Sequence, residues 1–314
     1  MGEINLGNYI GKRLLQLIPI LLALSFLVFL LMYISPGDPA VKKLTAQGIA
    51  VSQEVLEAER EKMGLNQPFF VRYGNWLAGV LQGDFGLSYA DDMPVLPKLI
   101  KGMRYTLILA TSSLALALAV SIPLGIITAV RSNSLLDHVV RMLTFAGNAM
   151  PNFLISVLLM YFFCIRVNLF PVIAKGTVQG LLLPTLALSI PMCSRFIRQI
   201  RAEVLEQLGK DYVTGLRTRG VREHYILFHN VLHNSLSAIL TIVGLSVGTL
   251  MGGSVVIETI FRWPGIGKLV MDSITARDYS VIQGFVLIMA VIYVVINLLT
   301  DISYRALDPR IELE

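Results

Sequence analysis

Few residues in this chain are spaced for chemistry, and each candidate pattern lacks something its reaction needs. Gly265-Ile266-Gly267-Lys268 has the flavour of a phosphate-binding loop. It lacks the G-x-x-x-x-G-K-[ST] spacing, the Ser/Thr and a preceding strand, so any ATP must be bound by another chain. Gly244-Leu245-Ser246-Val247-Gly248 fits the G-x-S-x-G nucleophile pattern. That pattern works on a strand-to-helix elbow with a histidine in reach, and here it falls in the middle of an apolar stretch without one. His229 and His233, four apart, could share a metal on one helix face, yet no carboxylate or cysteine completes a site within that helix. The two cysteines, Cys164 and Cys193, are far apart in apolar runs and offer neither a disulfide framework nor metal-ligand spacing. The expectation is a chain with no catalytic residue, no bound cofactor and no metal of its own.

The elements around these residues are written for lipid. Of 314 residues, 55% are hydrophobic and only 15% charged, with a mean hydropathy of +0.69. A soluble chain carries roughly 25% charged residues. Uncharged windows cover residues 14–34, 105–130, 142–165, 181–194, 234–257 and 279–300. All but the fourth are long enough for a hydrocarbon core of about 30 Å, which takes roughly 20 helical residues. The fourth reaches full length only by running through Arg195 and Arg198 to about Ile200, where arginines can snorkel to the interface. Lys12 and Arg13 precede the first window as in a signal peptide, but it is too long for an ordinary apolar core and no small-residue cleavage site follows. Pro36-Gly37-Asp38-Pro39 reads instead as a turn, and the window as an anchor.

Basic residues set the orientation. The N-terminus, the 131–141 and 195–233 loops and the C-terminal end hold about 13 Lys and Arg, the two opposite loops about five. The same bias explains the net charge of +5 without nucleic acid. The expected fold is an all-α polytopic membrane protein with six transmembrane helices and both ends in the cytoplasm. Its segments are a cytoplasmic N-terminus (1–13), span one (14–34), an extracytoplasmic helical segment (35–104), a five-span core (105–303) with a cytoplasmic loop at 201–233, and a cytoplasmic tail (304–314). In the outer segment a polar helix over 52–63 ends at Gly64, and a second carries Tyr73, Trp76, Leu77 and Val80 on one side.

The basic interruption from Arg195 to about His233 is the most informative segment. Asp211 and Tyr212 open a short helix there, Asp211 as an N-cap, and Gly220 closes it from the left-handed conformation. Such a helix suits docking to a soluble partner. Tyr212, Val213 and Leu216 would enter a cleft, with Arg217, Arg219 and Arg222 at its rim. Arg195, Arg198 and Arg201 lie three apart on one side of a helix end, and either anchor it at the interface or line a cytoplasmic mouth. Gly244, Gly248 and Gly252 form the small-residue stripe that lets membrane helices approach closely. No uncharged window contains Asp, Glu, Lys, Arg or His, whereas ion-coupled carriers keep such groups as relays. Driving energy is therefore expected from outside the membrane part. Pro123, Pro151, Pro184 and Pro191 loosen the spans, as a moving bundle would use.

Longer strings carry a family resemblance. They are Met63-Gly64-Leu65-Asn66-Gln67-Pro68, Arg72-Tyr73 and Gly83-Asp84-Phe85-Gly86-Leu87-Ser88, then Glu258-Thr259-Ile260-Phe261-Arg262-Trp263-Pro264-Gly265-Ile266-Gly267 and Arg277-Asp278-Tyr279. In these the chain resembles, over nearly its whole length, the permease subunits of bacterial ATP-binding-cassette importers for peptides and nickel. The cytoplasmic loop is similar to the family's ATPase-docking EAA loop. Gly220 falls on its invariant glycine, Thr214, Gly215 and Leu216 stand at the naming positions, and His233 replaces the late proline. The resemblance implies a heteromeric machine: a homologous second permease, two ATPase subunits holding ATP and Mg²⁺, and an extracytoplasmic binding protein. This chain would then supply half the pathway. Leu307-Asp308-Pro309-Arg310-Ile311 and Ala149-Met150-Pro151-Asn152-Phe153 look like the branch for nickel or a nickel chelate. A di- or oligopeptide importer is the alternative; an ion-coupled secondary transporter and an intramembrane hydrolase are more remote.

Overall fold

A computed structural model describes residues 6–48 and 51–307, so the Asp308-Pro309-Arg310-Ile311 part of the tail signature lies outside the described residues. Among them every named element is helical. In chain order these are α1 (Leu6–Ile34), α2 (Pro39–Ala46), α3 (Gln53–Lys62), α4 (Phe69–Leu81), α5 (Val95–Val130), α6 (Leu135–Ala149) and α7 (Asn152–Met160). A π-turn (Tyr161–Arg166) leads on to α8 (Val178–Leu208), α9 (Asp211–Thr218) and the single turn α10 (Glu223–Tyr225). A second π-turn (Ile226–Val231) feeds α11 (Leu232–Ile260), followed by α12 (Ile266–Ala276) and α13 (Tyr279–Leu307). Lipid leaves backbone polar groups no partner but the chain itself, which is why apolar windows become helices. Among the described residues five helices are long and apolar enough to cross a membrane, and six if α6 and α7–π-turn count as one bent span.

Contacts divide the chain into two compact units, 1–106 with 264–295 and 107–263 with 296–314. In the first, the polar and aromatic residues of the segment after α1 build the fold. Asp38 caps α2 by accepting from Ala40 N at 2.8 Å, with Pro39 at the first helical position. The four residues from Pro36 read as a turn therefore turn directly into a helix. Gly37 (φ +102°) packs against the Arg277 guanidinium, which bonds to the Pro36 carbonyl, and its left-handed backbone favours glycine. Ser52 caps α3 through Val55 N at 3.3 Å, and Gly64 (φ +65°) follows its end, matching the sequence reading. Phe69, Tyr73 and Trp76 of α4 lock onto Phe26, Phe29 and Tyr33 of α1, mostly edge to face with ring centroids 5.1–6.0 Å apart. Two of the resemblance strings meet here: Ser88 Oγ donates to Asp278 Oδ2 at 2.5 Å, and Tyr89 N to Asp278 Oδ1 at 2.9 Å.

The second unit is organised by α8, the most buried span, with α6, α7 and α11 against it. Its side chains Leu183, Ala187, Leu188, Met192, Phe196, Ile197, Ile200 and Val204 are buried. Gly125 of α5 and Gly147 of α6 let their backbones approach it; a Cβ on Gly125 would sit 2.7 Å from Ile200 Cγ2. One expectation needs correcting. The 142–165 window is not one straight span, because α6 starts at Leu135 and the chain bends by 100° between α6 and α7. Pro151 lacks the N–H that would continue the helix and forces Met150 into an extended conformation (ψ 127°). The fourth window belongs to a longer helix, α8, which runs unbroken past the arginines to Leu208 with Pro184 and Pro191 inside it.

The first unit also holds an ion network that titrates. Lys43, almost fully buried, donates to Glu59 Oε1 at 2.8 Å and Asp92 Oδ2 at 2.7 Å. Burial pulls the Lys43 ammonium down, but its hydrogen bonds to Asp92 and Glu59 outweigh that and hold it above the ordinary lysine value. The bond from Lys43, with a second from Lys62, holds Asp92 below the usual carboxylate range. Asp92 thus stabilises the fold above its unfolded value of about 3.9, and the gain is lost as pH falls through the lower folded value. For Lys43 the gain is present below about 10.4 and lost as pH rises through the higher folded value. Hydrogen exchange in α2 and α3 should therefore speed up below about pH 4, and Asp92→Asn should flatten that acid dependence while exchange at neutral pH rises.

Candidate functional site

The docking candidate is α9, reached from α8 through Gly209 and Lys210. Lys210 occupies the N-cap position and donates no side-chain cap; Asp211 is instead the first helical residue. Its expected role as N-cap is corrected accordingly, though a carboxylate in the first turn still favours the positive end of the helix dipole. At the other end Gly220 has φ +76°, as expected, and its amide closes on Arg217 O at 3.0 Å. No atom lies within 4 Å of where its Cβ would be, so only the backbone conformation requires glycine.

The faces of α9 differ from the sequence reading in one respect. Val213 is fully buried within its own chain and cannot enter a partner's cleft. Tyr212 is half-buried, its hydroxyl donating to Gln207 Oε1 at 3.2 Å. These two residues seat the helix, while Asp211, Thr214, Arg217 and Thr218 face outward and Gly215 and Leu216 are half-buried. Arg217 reaches Glu223 with Nε–Oε1 2.7 Å and Nη2–Oε2 3.2 Å, pinning the exit of α9 to α10. That hydrogen bond raises the Arg217 guanidinium further above its already high ordinary value.

The arginine trio separates. Arg201 makes a two-pronged bond to Asp137, Nε–Oδ1 2.7 Å and Nη2–Oδ2 2.8 Å, and Asp137 is fully buried. Asp137 also accepts from Asn133 N at 2.9 Å and faces Arg141 at 3.5 Å. Arg198 is exposed and returns to Ser194 O at 3.3 Å, and Arg195 is half-buried. Asp137 escaped the sequence reading because it lies just outside an apolar window, although a lone carboxylate between Ser134 and Arg141 was a visible signal.

The remaining patterns have structural partners. Ser246 lies in the middle of α11 and donates to Ile242 O at 2.7 Å, with no strand-to-helix elbow. Gly265 is the N-cap of α12, and Lys268 pairs with Asp272 one turn on. His229 stacks on Tyr225 with centroids 4.6 Å apart. Among the described residues no group of three His, Cys, Asp or Glu could hold a metal. Cys164 Sγ donates to Pro171 O at 3.6 Å, and Cys193 Sγ to Ala117 O at 3.9 Å. In the glycine stripe, Gly244 and Gly248 are half-buried, and Gly252 is exposed with nothing within 4 Å of where a Cβ would stand.

Among the described residues this arrangement is all-helical, with several helices long and apolar enough to cross a membrane and an exposed short helix beside them. Comparison with known proteins is consistent at every level. Residues 121–313 match the family described as binding-protein-dependent transport system inner membrane component, and residues 6–110 its N-terminal companion. The chain is 39% identical over 302 residues to the nickel import system permease protein NikB of Staphylococcus aureus strain bovine RF122 / ET3-1, covering 96% of this chain and 91% of that one. The same protein from strain MRSA252 gives the same identity and coverage. The MetNI methionine ABC transporter in an inward-facing crystal form has a similar fold, with a TM-score of 0.58 at 17% identity over 67% of this chain and 95% of that one. The chain belongs to the binding-protein-dependent transport system inner membrane components. It is therefore a multi-pass plasma-membrane permease subunit of an ABC importer, a transport component rather than an enzyme.

The Asp137–Arg201 pair yields a direct expectation. Arg201→Met leaves a buried carboxylate without its main partner and should cost about 3–5 kcal/mol. The double change Asp137→Leu/Arg201→Met should recover much of that loss. Thermal unfolding of the purified variants, read as a double-mutant cycle, measures both.

Proposed function

We propose that this chain forms half of the translocation pathway of an ATP-driven importer for nickel, carried as a chelate. The observation that carries the cargo is the 39% identity, over 96% of the chain, to permeases named for nickel import. A chelate rather than a bare ion follows from the spans. Their uncharged windows offer a divalent cation no carboxylate or imidazole, and only the thiols of Cys164 and Cys193. Selectivity then resides in the extracytoplasmic binding protein, and the pathway needs only weak contacts. A di- or oligopeptide cargo is the second reading, favoured by the strings shared with peptide permeases.

In this reading both ends of the chain face the cytoplasm, residues 35–104 lie outside, and the 201–233 loop meets the ATPases. A homologous permease completes the pathway, and two ATPase subunits bind ATP and Mg²⁺. The Gly244, Gly248 and Gly252 stripe, whose last glycine is exposed in the single chain, is suited to the second permease. The outward face of α9, centred on Thr214 with Asp211, Gly215, Leu216 and Arg217, docks to an ATPase, while Tyr212 and Val213 hold it to its own chain. Arg195 and Arg198 remain the candidates for the cytoplasmic mouth, and Arg201 serves structure through Asp137.

Reconstituted complexes supplied with ATP and the binding protein should take up radiolabelled nickel when histidine or citrate is present as chelator, and not as the bare ion. Uptake of a labelled dipeptide with no nickel uptake would establish the second reading. Uptake by the lone chain on a proton or sodium gradient would overturn the importer mechanism.

A further inference from the structure

A short helix presents a defined face to a partner only if something fixes its roll about its own axis. α9 is joined to α8 through just Gly209 and Lys210. The ion pair from Lys210 to Glu206, at 3.4 Å, is exposed on both sides and contributes little. Val213 holds α9 to its own chain by burial, which is non-directional and tolerates a roll. At the far end Arg217 ties the helix forward to Glu223 of α10.

The directional contact with α8 is polar. The Tyr212 hydroxyl donates to Gln207 Oε1 at 3.2 Å, and Gln207 Nε2 donates to Glu203 Oε1 at 2.9 Å. Gln207 is only 7% exposed, so both ends of its amide are committed. Their direction is dictated by chemistry. An ionised Glu203 carboxylate only accepts, so the amide nitrogen must face it and the oxygen is left for Tyr212, whose hydroxyl must donate. Glu203 and Gln207 are one turn apart on α8, and Arg201 just before them is clamped by Asp137. The hydrogen bonds therefore run from α9 into a stretch of α8 that is itself tied to α6.

Helical geometry turns this anchor into an aim. Tyr212 and Thr214 are two residues apart, roughly 200° around the helix. Asp211, Arg217 and Thr218 fall within about 60° of Thr214. Holding the tyrosine against α8 thus points those four exposed residues away from it together.

We propose that Gln207 is a positioning residue for ATPase docking: oriented by Glu203 and acting through Tyr212, it sets the roll of α9 and so the direction of the Thr214 face. The inference rests on the docking reading of α9 and assigns to α8 the side chain that aims it.

Titration of labelled ATPase subunits onto the permease pair in nanodiscs gives an association constant for each variant, with size-exclusion profiles establishing that each is folded. Tyr212→Phe and Gln207→Leu should each weaken association about 3-fold or more, and the double change no further than Gln207→Leu alone. Gln207→Glu sets two carboxylates one turn apart and should also weaken it. Adding Glu203→Gln to that variant restores a donor facing an acceptor, and affinity should return to within about 2-fold of wild type. Thr214→Arg, on the outward face, tests docking itself and should abolish association. Loss in Thr214→Arg with wild-type association in folded Tyr212→Phe and Gln207→Leu overturns the positioning role and leaves docking standing. Failure of the Glu203→Gln/Gln207→Glu swap to recover association overturns the hydrogen bonds as its cause. Wild-type association in Thr214→Arg overturns docking, and this inference with it.

Discussion

A buried carboxylate can be tolerated only with its counter-charge in place, and Asp137 meets that constraint through the two-pronged bond from Arg201. The pair joins the first turn of α6 to α8 at a point less than three turns before α8 ends. Ser134 and the Asn133 amide complete the local shell, so the start of α6, the loop before it and the C-terminal part of α8 hold one another in register. From there α8 continues without a break to Leu208, and α9 follows after two residues. Displacement of α9 therefore acts on a strut that is tied to a neighbouring helix.

The rest of the second unit economises on polarity in a way that suits lipid. Span hydroxyls mostly return to carbonyls of their own helix, as Ser113 does to Leu109, Thr128 to Leu124 and Ser246 to Ile242. These bonds satisfy the hydroxyl without needing a partner that a moving bundle would break. The first unit is the opposite case, with ion networks around Lys43 and Asp38 and the buried Asp278 bonded across about 190 residues of sequence. Specific, directional contacts there give that unit a defined shape.

Local signals were legible in the sequence wherever one residue type has a single physical use. Gly64 and Gly220 stand where helices end in the left-handed region, Ser52 caps a helix, and the apolar windows become spans. Signals that depend on distant partners were not. Whether Val213 faces a partner or its own chain cannot be told from a two-turn helix with apolar residues on more than one side. Asp137 required knowing that α6 would lie against Arg201. The bend after α6 was announced by Pro151, but its size depends on how α7 packs on α8 and α11. Helix α2 was hidden because Pro36-Gly37-Asp38-Pro39 read as a turn, and that turn string begins a helix.

The central claim is that α9 carries the effect of ATP binding to the membrane spans, and Gly220 is where it can be tested with least disturbance. A β-carbon there meets empty space but strains a left-handed backbone by roughly 1–2 kcal/mol. Co-purification of the ATPase and ligand-stimulated ATP hydrolysis should be measured together in Gly220→Val, with membrane insertion as the control. The account predicts normal insertion, with weakened ATPase association or hydrolysis that no longer responds to ligand. Wild-type association together with wild-type stimulation would contradict the docking role of α9.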